Sequence, residues 1–129
     1  MEIQVQLTDQ PIPPSVPPPA HQGTVGAWTE FRGLVRTEEN RRPIIALDYQ
    51  AYREMAEREL RRLLVELAAQ HPCLSAHVIH RVGVVPVGEA AIYVGIASAR
   101  RAEGFAMLAA FMDRLKQDVP IWKRRSLPA

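Results

Sequence analysis

The order of elements legible in this sequence is strands, helix, strands, helix, strand. It predicts an α+β domain on a mixed or antiparallel sheet with two main helices. Two observations carry that expectation. Short runs with period-two alternation occur at 2–7, 25–35, 44–49, 75–82 and 90–98. Two longer runs, 54–70 and 105–116, instead repeat apolar residues at spacings of three and four, as one buried helix face requires.

Size and composition bound the rest. A chain of 129 residues, 47% apolar and 23% charged, suits one globular domain, 1–129, with a Pro-rich connector over 11–23. No run of 18 apolar residues is present, so no membrane span is expected. The N-terminus has neither a basic region nor an apolar stretch of the secretory kind. Cys73 is the single cysteine, which fits a reducing, cytoplasmic setting and the role of a small buried apolar side chain. The net charge of +2 is unevenly spread. Residues 1–99 carry 9 Lys/Arg and 11 Asp/Glu, whereas 100–129 carry 7 Lys/Arg and 3 Asp/Glu. A local cationic field on a nearly neutral chain points to a small anion or an acidic partner tail, and away from nucleic acid.

Taken in order, Ile3, Val5 and Leu7 mark a half-buried first strand. Six prolines between Pro11 and Pro19 leave only an extended segment, read as a stiff connector. In 25–35, Val25, Ala27, Thr29 and Phe31 face one way and Trp28, Glu30 and Arg32 the other, with Gly33 marking a bulge. Arg36 follows at the strand end. Thr37 to Pro43 reads as a mobile charged loop, and 44–49 as a third strand. The first helix buries Ala56, Leu60, Leu63, Leu64 and Leu67 and carries Glu54–Arg58 and Glu57–Arg61 as outer pairs. In 75–82, His77, Ile79 and Arg81 oppose Val78, His80 and Val82; 83–88 reads as a turn. Residues 90–98 are apolar enough for burial on both faces.

The last third concentrates the chemistry. Ser98 is a candidate cap for the second helix, where free backbone N–H groups beside Arg100 and Arg101 would form an anion site. Phe105, Leu108, Met112 and Leu115 define the expected buried stripe. Lys116 lies eleven residues past Phe105, within roughly 20° of it at about 100° per residue. Pro120 stops the helix, and 121–125 reads as a strand with Ile121, Lys123 and Arg125 on one face. Two lysines seven residues apart therefore converge where helix passes into strand. Phosphate-loop, dinucleotide, zinc-protease and paired-cysteine motifs do not occur, and His21, His71, His77 and His80 are not spaced as a metal set. No metal site is expected. What remains is a set of cations at element ends: Arg36, Arg100, Arg101, Lys116 and Lys123. Such groups hold a phosphate, and a lysine among cations can act as acid, base or nucleophile.

Six stretches add a resemblance. They are G-A-W-T-E-F-R-G-L-V-R (26–36), L-D-Y-Q-A-Y-R-E-M-A (47–56), V-I-H-R-V-G-V-V-P-V-G-E (78–89), I-Y-V-G-I-A-S-A-R-R (92–101), F-A-M-L-A-A-F-M-D-R-L-K (105–116) and P-I-W-K-R (120–124). In this order they resemble the large, catalytic subunits of molybdopterin synthase over roughly residues 24–124. The resemblance implies an α/β hammerhead fold and a homodimer. A small ubiquitin-like subunit docks on each copy, making a heterotetramer. It implies a cytoplasmic sulfurtransferase of molybdenum cofactor biosynthesis with no resident cofactor. Sulfur from the small subunit's Gly-Gly thiocarboxylate passes to cyclic pyranopterin monophosphate and forms the molybdopterin dithiolene. Lys116 and Lys123 match the family's catalytic lysines; Arg36 and Arg101 match its phosphate-binding arginines. Arg100 and Arg124, beside them, join the expected substrate contacts. Where the family has a histidine before Arg101 this chain has Arg100, and where it has an acidic residue after the second lysine this chain has Arg124-Arg125. Family members also usually continue past the position of Ala129. The alternative implied by these departures is a relative that binds a pterin phosphate or a ubiquitin-like tail without turnover.

Overall fold

The computed structural model describes residues 1–20 and 23–129. His21, and with it the connector over 21–22, lies outside the described residues. The chain runs β1 (Glu2–Thr8), β2 (Ala27–Leu34), β3 (Glu38–Glu39), β4 (Arg42–Ala51), α1 (Arg53–Ala68), β5 (Ser75–Arg81), β6 (Gly83–Pro86), β7 (Ala90–Ser98), α2 (Arg101–Asp118) and β8 (Ile121–Pro128). The expected α+β class is what the chain adopts, with the strands divided between two sheets. The first has the order β1-β5-β7-β2 and is mixed, because β1 and β5 run parallel. The second is antiparallel and centres on β4, which pairs β3, β6 and β8.

The main core lies between the first sheet and the two helices. Leu60, Leu63 and Leu64 of α1, Met107 and Phe111 of α2, and Val78, Val94 and Ile96 of the sheet are fully enclosed there. Each such side chain contributes about 1.5–3 kcal/mol by leaving water. The α1 stripe is the one its periodicity predicts. Its outer ion pairs are not. Arg62 bridges Glu59 and Glu66, at 2.7 and 2.9 Å, while Arg61 reaches the Ile3 carbonyl. Spacing alone permits several pairings on an exposed helix face, and side-chain rotamers select among them.

The opposite face of the first sheet is covered by the Pro-rich segment. Ile12 and Val16 pack on Ile79 and Tyr93. Arg32 donates to the Pro13 carbonyl at 2.7 Å and lies 5.0 Å above the Tyr93 ring, whose hydroxyl donates to Glu30 at 2.7 Å. The segment is thus a strap on the sheet, and its presence explains why β7 is buried on both faces.

Three local expectations change. The 83–88 stretch contains the strand β6 before its turn, pairing Gly83–Pro86 with 46–49 of β4. Gly83, at φ +88°, makes the bend that carries the chain from one sheet to the other. Arg81 holds that bend by pairing with Glu89 at 2.8 Å. The 37–43 loop is a tight hairpin, β3 to β4, with Asn40 and Arg41 both at positive φ (51° and 65°), as a two-residue hairpin turn demands. Finally, the α2 face is rotated. Its buried line is Gly104, Met107, Phe111 and Leu115, and Phe105 is 60% exposed. Gly104 is the cause: a Cβ there would lie 2.8 Å from Thr29 Oγ1 and 2.9 Å from Ser98 Oγ. Glycine lets the helix sit close on β2, a contact no count of apolar side chains detects.

Candidate functional site

Where α2 ends and β8 begins, the two sheets and the helix leave a cavity of about 380 Å³. Phe31, Gly33 and Leu34 come from β2, Tyr49 from β4, His80 from β5, and Ile92 from β7. Met112, Leu115 and Lys116 come from α2, and Ile121, Trp122 and Lys123 from β8. The two lysines therefore meet on one cavity, as their spacing predicts. Lys116 shares a direction with Phe105, but that direction is the exposed margin of the helix, and among the described residues its ammonium has no ion-pair partner. The helix ends at Asp118 and Val119, and only the short link through Pro120 separates the two lysine-bearing elements.

Lys123 is held. Its ammonium pairs with Glu39 Oε2 at 2.8 Å, from the β3 strand of the hairpin. Tyr49 is the β4 register partner of Lys123. Burial pushes its phenol above the usual range, with Lys123 opposing and Glu39 reinforcing the shift. His80 lies 5% exposed and edge-on to Tyr49, with ring centroids 5.3 Å apart. Its Nδ1 is 2.7 Å from the Arg81 carbonyl. A carbonyl only accepts, so Nδ1 carries the proton. Burial lowers the affinity of His80 for a second proton. Glu39, Tyr49 and His80 were not singled out by the sequence. The alternation that sets His80 beside Val78 was the available signal, because that face of β5 is the one the helices cover.

The arginines divide differently. Arg36 is exposed, two residues past Leu34 and so within about 7 Å of the cavity rim along the chain. Arg124 and Arg125 do not line the cavity. They reach one carboxylate oxygen of Asp48, at 3.9 and 3.3 Å. Adjacent strand residues ordinarily point to opposite faces. Here the register slips between Asp48 and Tyr49, and the bulge lets both converge. Arg124 and Arg125 are thus both partnered by Asp48.

Arg100 and Arg101 lie at the other end of α2, fifteen or sixteen residues before Lys116. At 1.5 Å per residue this is about 22 Å, so within one chain they do not join the lysines. Both are exposed. Arg100 itself is the N-cap residue, without a side-chain cap; Ser98 Oγ donates to the Arg100 carbonyl at 2.6 Å instead of capping the helix. Cys73 sits nearby, 3.9 Å from the Glu103 carbonyl, its thiol pushed up to about 11 by burial and then by Glu103. That is an unreactive thiol. A second depression of about 270 Å³, under the strap, is lined by no lysine or arginine and does not suit an anion.

Two lysines on a largely apolar cavity between two sheets and a helix suit a small anionic group beside an apolar one. Comparison with known proteins gives the family. The model of the "MoaE protein" family matches residues 7–118. The human molybdopterin synthase catalytic subunit is 38% identical over 99 residues, covering 77% of this chain and 53% of that protein. The chain belongs to the MoaE family. It spans about half the length of the first mammalian relatives it matches. Among solved structures, the molybdopterin biosynthesis MoaE protein from Burkholderia ambifaria superposes with a TM-score of 0.79 at 22% identity, over 98% of this chain and 89% of that one. A complex of subunits 1 and 2 of the molybdopterin-converting factor from Helicobacter pylori superposes at 0.68 with 16% identity, over 98% and 89%. Both share the fold. No helix among the described residues is long and apolar enough to cross a membrane.

Proposed function

We propose that this chain is the catalytic subunit of molybdopterin synthase. It moves sulfur from the thiocarboxylated C-terminus of a small ubiquitin-like subunit to cyclic pyranopterin monophosphate. The observation that carries this reading is the convergence of Lys116 and Lys123 on one cavity between α2 and β8. A thiocarboxylate and a phosphate are both anions. Two ammonium groups on a wall otherwise made of Phe31, Leu34, Ile92, Met112 and Trp122 supply fixed positive charge where such anions would lie, held in place by the fold rather than recruited from solvent. In each transfer the thiocarboxylate sulfur bonds a substrate carbon and water then cleaves the acyl–sulfur bond, leaving a carboxylate on the small subunit and one sulfur on the substrate; two transfers supply the dithiolene. Lys116, free of partners among the described residues, serves the reacting atoms. Lys123, held by Glu39, orients the incoming tail. Arg36 at the rim takes substrate phosphate.

The partner follows from family membership and from the two-subunit complex of the Helicobacter pylori neighbour. A homodimer of this chain, hence a heterotetramer with two small subunits, also accounts for Arg100 and Arg101. They are about 22 Å from Lys116 on their own helix, but a second copy could present them to the lysine cavity. A free thiol at Cys73 without a disulfide partner suits the cytoplasm. Reconstitution tests the reading. The purified chain, a thiocarboxylated small subunit from the same source and cyclic pyranopterin monophosphate are expected to yield dithiolene product. A stable complex with the small subunit but no product would contradict catalysis and leave a binding module.

A further inference from the structure

We infer that His80 is a substrate-contacting residue of the lysine cavity: its Nε2 accepts a hydrogen bond from an N–H or O–H edge of a planar heterocycle whose anionic group lies on the lysines. The inference rests on the synthase reading and deepens it by assigning the edge of the substrate that faces β5.

The geometry carries it in three steps. Nδ1 of His80 is committed to the Arg81 carbonyl at 2.7 Å, which leaves Nε2 as the ring's lone-pair atom. Among the described residues Nε2 has no protein hydrogen-bond partner, and it is not sealed off either. Among the described residues, the buried side-chain polar atoms without a partner are Arg81 Nε and Glu103 Oε2. The residue itself lines the cavity, so the lone pair opens there. Finally, the chain holds the ring in place. Tyr49 packs edge-on at 5.3 Å, and His80 lies in register between Leu7 of β1 and Ile92 of β7.

A neutral imidazole nitrogen cannot bind a phosphate or carboxylate oxygen, since both only accept. It therefore selects a donor, whereas Lys116 and Lys123 select an anion. Phe31, Leu34, Ile92, Met112 and Trp122 supply apolar surface between these groups. One cavity thus has an acceptor on one wall, cations on another and apolar faces between, which fits an amphiphilic ring bearing amide or amine N–H groups and a phosphate. Protonation of His80 would reverse its role, turning Nε2 into a donor and adding a third positive charge. Burial moves that event below the ordinary value of 6.5. The other charged or titratable groups around the ring are Tyr49 on β4, Glu39 on β3 with its partner Lys123 on β8, Lys116 on α2, and Arg81 tied to Glu89.

His80→Asn keeps an amide donor for the Arg81 carbonyl and removes the atom at the Nε2 position; His80→Gln restores an amide near it. In the reconstituted synthase, H80N is expected to raise the KM for cyclic pyranopterin monophosphate about tenfold, the loss of one buried hydrogen bond, with a smaller change in kcat. H80Q is expected to recover part of the loss. The wild-type KM should rise on the acid side of pH 6.5, and that limb should vanish in H80N. Nitrogen-15 spectra of the wild-type ring should show protonated Nδ1 and bare Nε2, with Nε2 shifting on addition of the substrate. An active wild type with unchanged KM and acid limb in H80N, or a ring protonated on Nε2, overturns the role of His80 alone. If H80N does not fold, an Nε2 resonance unmoved by substrate overturns it equally. A wild type that neither binds nor converts the substrate overturns the synthase reading and this one with it.

Discussion

The two ends of α2 are both cationic, yet they differ in their surroundings: one lines a cavity and the other lies exposed. At the C-terminal end Lys116 faces Lys123 across a cavity walled by β2, β4, β5, β7 and β8. At the N-terminal end Arg100 and Arg101 stand exposed beside an uncapped helix start. The helix sits close on its sheet there, because Gly104 brings it onto Thr29 and Ser98, but both arginines are exposed. Charge draws an anion to either end. Apolar surface beside a cation displaces part of the competing water and strengthens its contact with an anion, and the lysine end has that surface in Ile92, Met112 and Leu115. On the proposed function, the lysines act at the cavity they line, whereas the arginines need a second surface before they contribute.

The largest break in that contrast is Lys116→Ala. Product formation in the reconstituted assay should fall by at least about 100-fold, the scale of a lost catalytic group, with an unchanged thermal midpoint. Wild-type-like turnover would remove Lys116 from the mechanism. Next comes Arg101→Ala. If a second copy brings this arginine to the cavity, substrate affinity should fall by roughly 10- to 100-fold, as for a hydrogen bond to a charge. Mixing the Lys116→Ala and Arg101→Ala proteins should then restore about a quarter of wild-type activity, through the one intact site of each mixed dimer. Absence of any recovery would confine each site to one chain.

A smaller effect is expected at Gly104. Alanine gains up to about 1 kcal/mol in helix propensity but forces a Cβ to 2.8 Å from Thr29 Oγ1, and overpacking of this kind costs about 1–3 kcal/mol. A net loss of about 1 kcal/mol in chemical denaturation is the expected outcome, and a stabilised variant would show that the helix can lift away from β2. The smallest effect is on pH dependence. His80 is neutral when buried, and its folded-state pKa lies below 6.5. The unfolded chain therefore takes up the proton first as pH falls. His80's contribution is complete above pH 6.5 and declines as the pH drops through the folded value. Denaturation midpoints measured from pH 7.5 downward should show this slope in the wild type and its loss in His80→Asn.

Much of this molecule is legible from one chain. Leu60, Leu63, Leu64 and Leu67 repeat with helical period, and 90–98 is apolar throughout, so the α1 stripe and the doubly buried β7 follow from local pattern. The junction of Lys116 and Lys123 is legible for the same reason: a helix phase, a proline stop and a short strand lie within thirteen residues, 113–125. The rotated face of α2 was not, because glycine adds no hydrophobic side chain to a periodic count. The strap looks like a connector in the sequence because its prolines forbid helix and ladder bonding, while Ile12 and Val16 reveal their partners only once β5 and β7 are side by side.

The sequence by itself thus determined the class of fold, the two helices, most strands and the pair of lysines, since each depends on spacing within a few turns of chain. Tertiary structure alone decided which partners those residues have. Glu39 reaches Lys123 across 84 positions, Asp48 collects Arg124 and Arg125 across 76 and 77, and Tyr49 meets His80 from another sheet. Such contacts are set by the order in which strands assemble and by a one-residue bulge in β8, and neither leaves a periodic mark in the chain. The same physics holds Arg100 and Arg101 away from the cavity: a rigid helix turns fifteen residues of sequence into about 22 Å of separation.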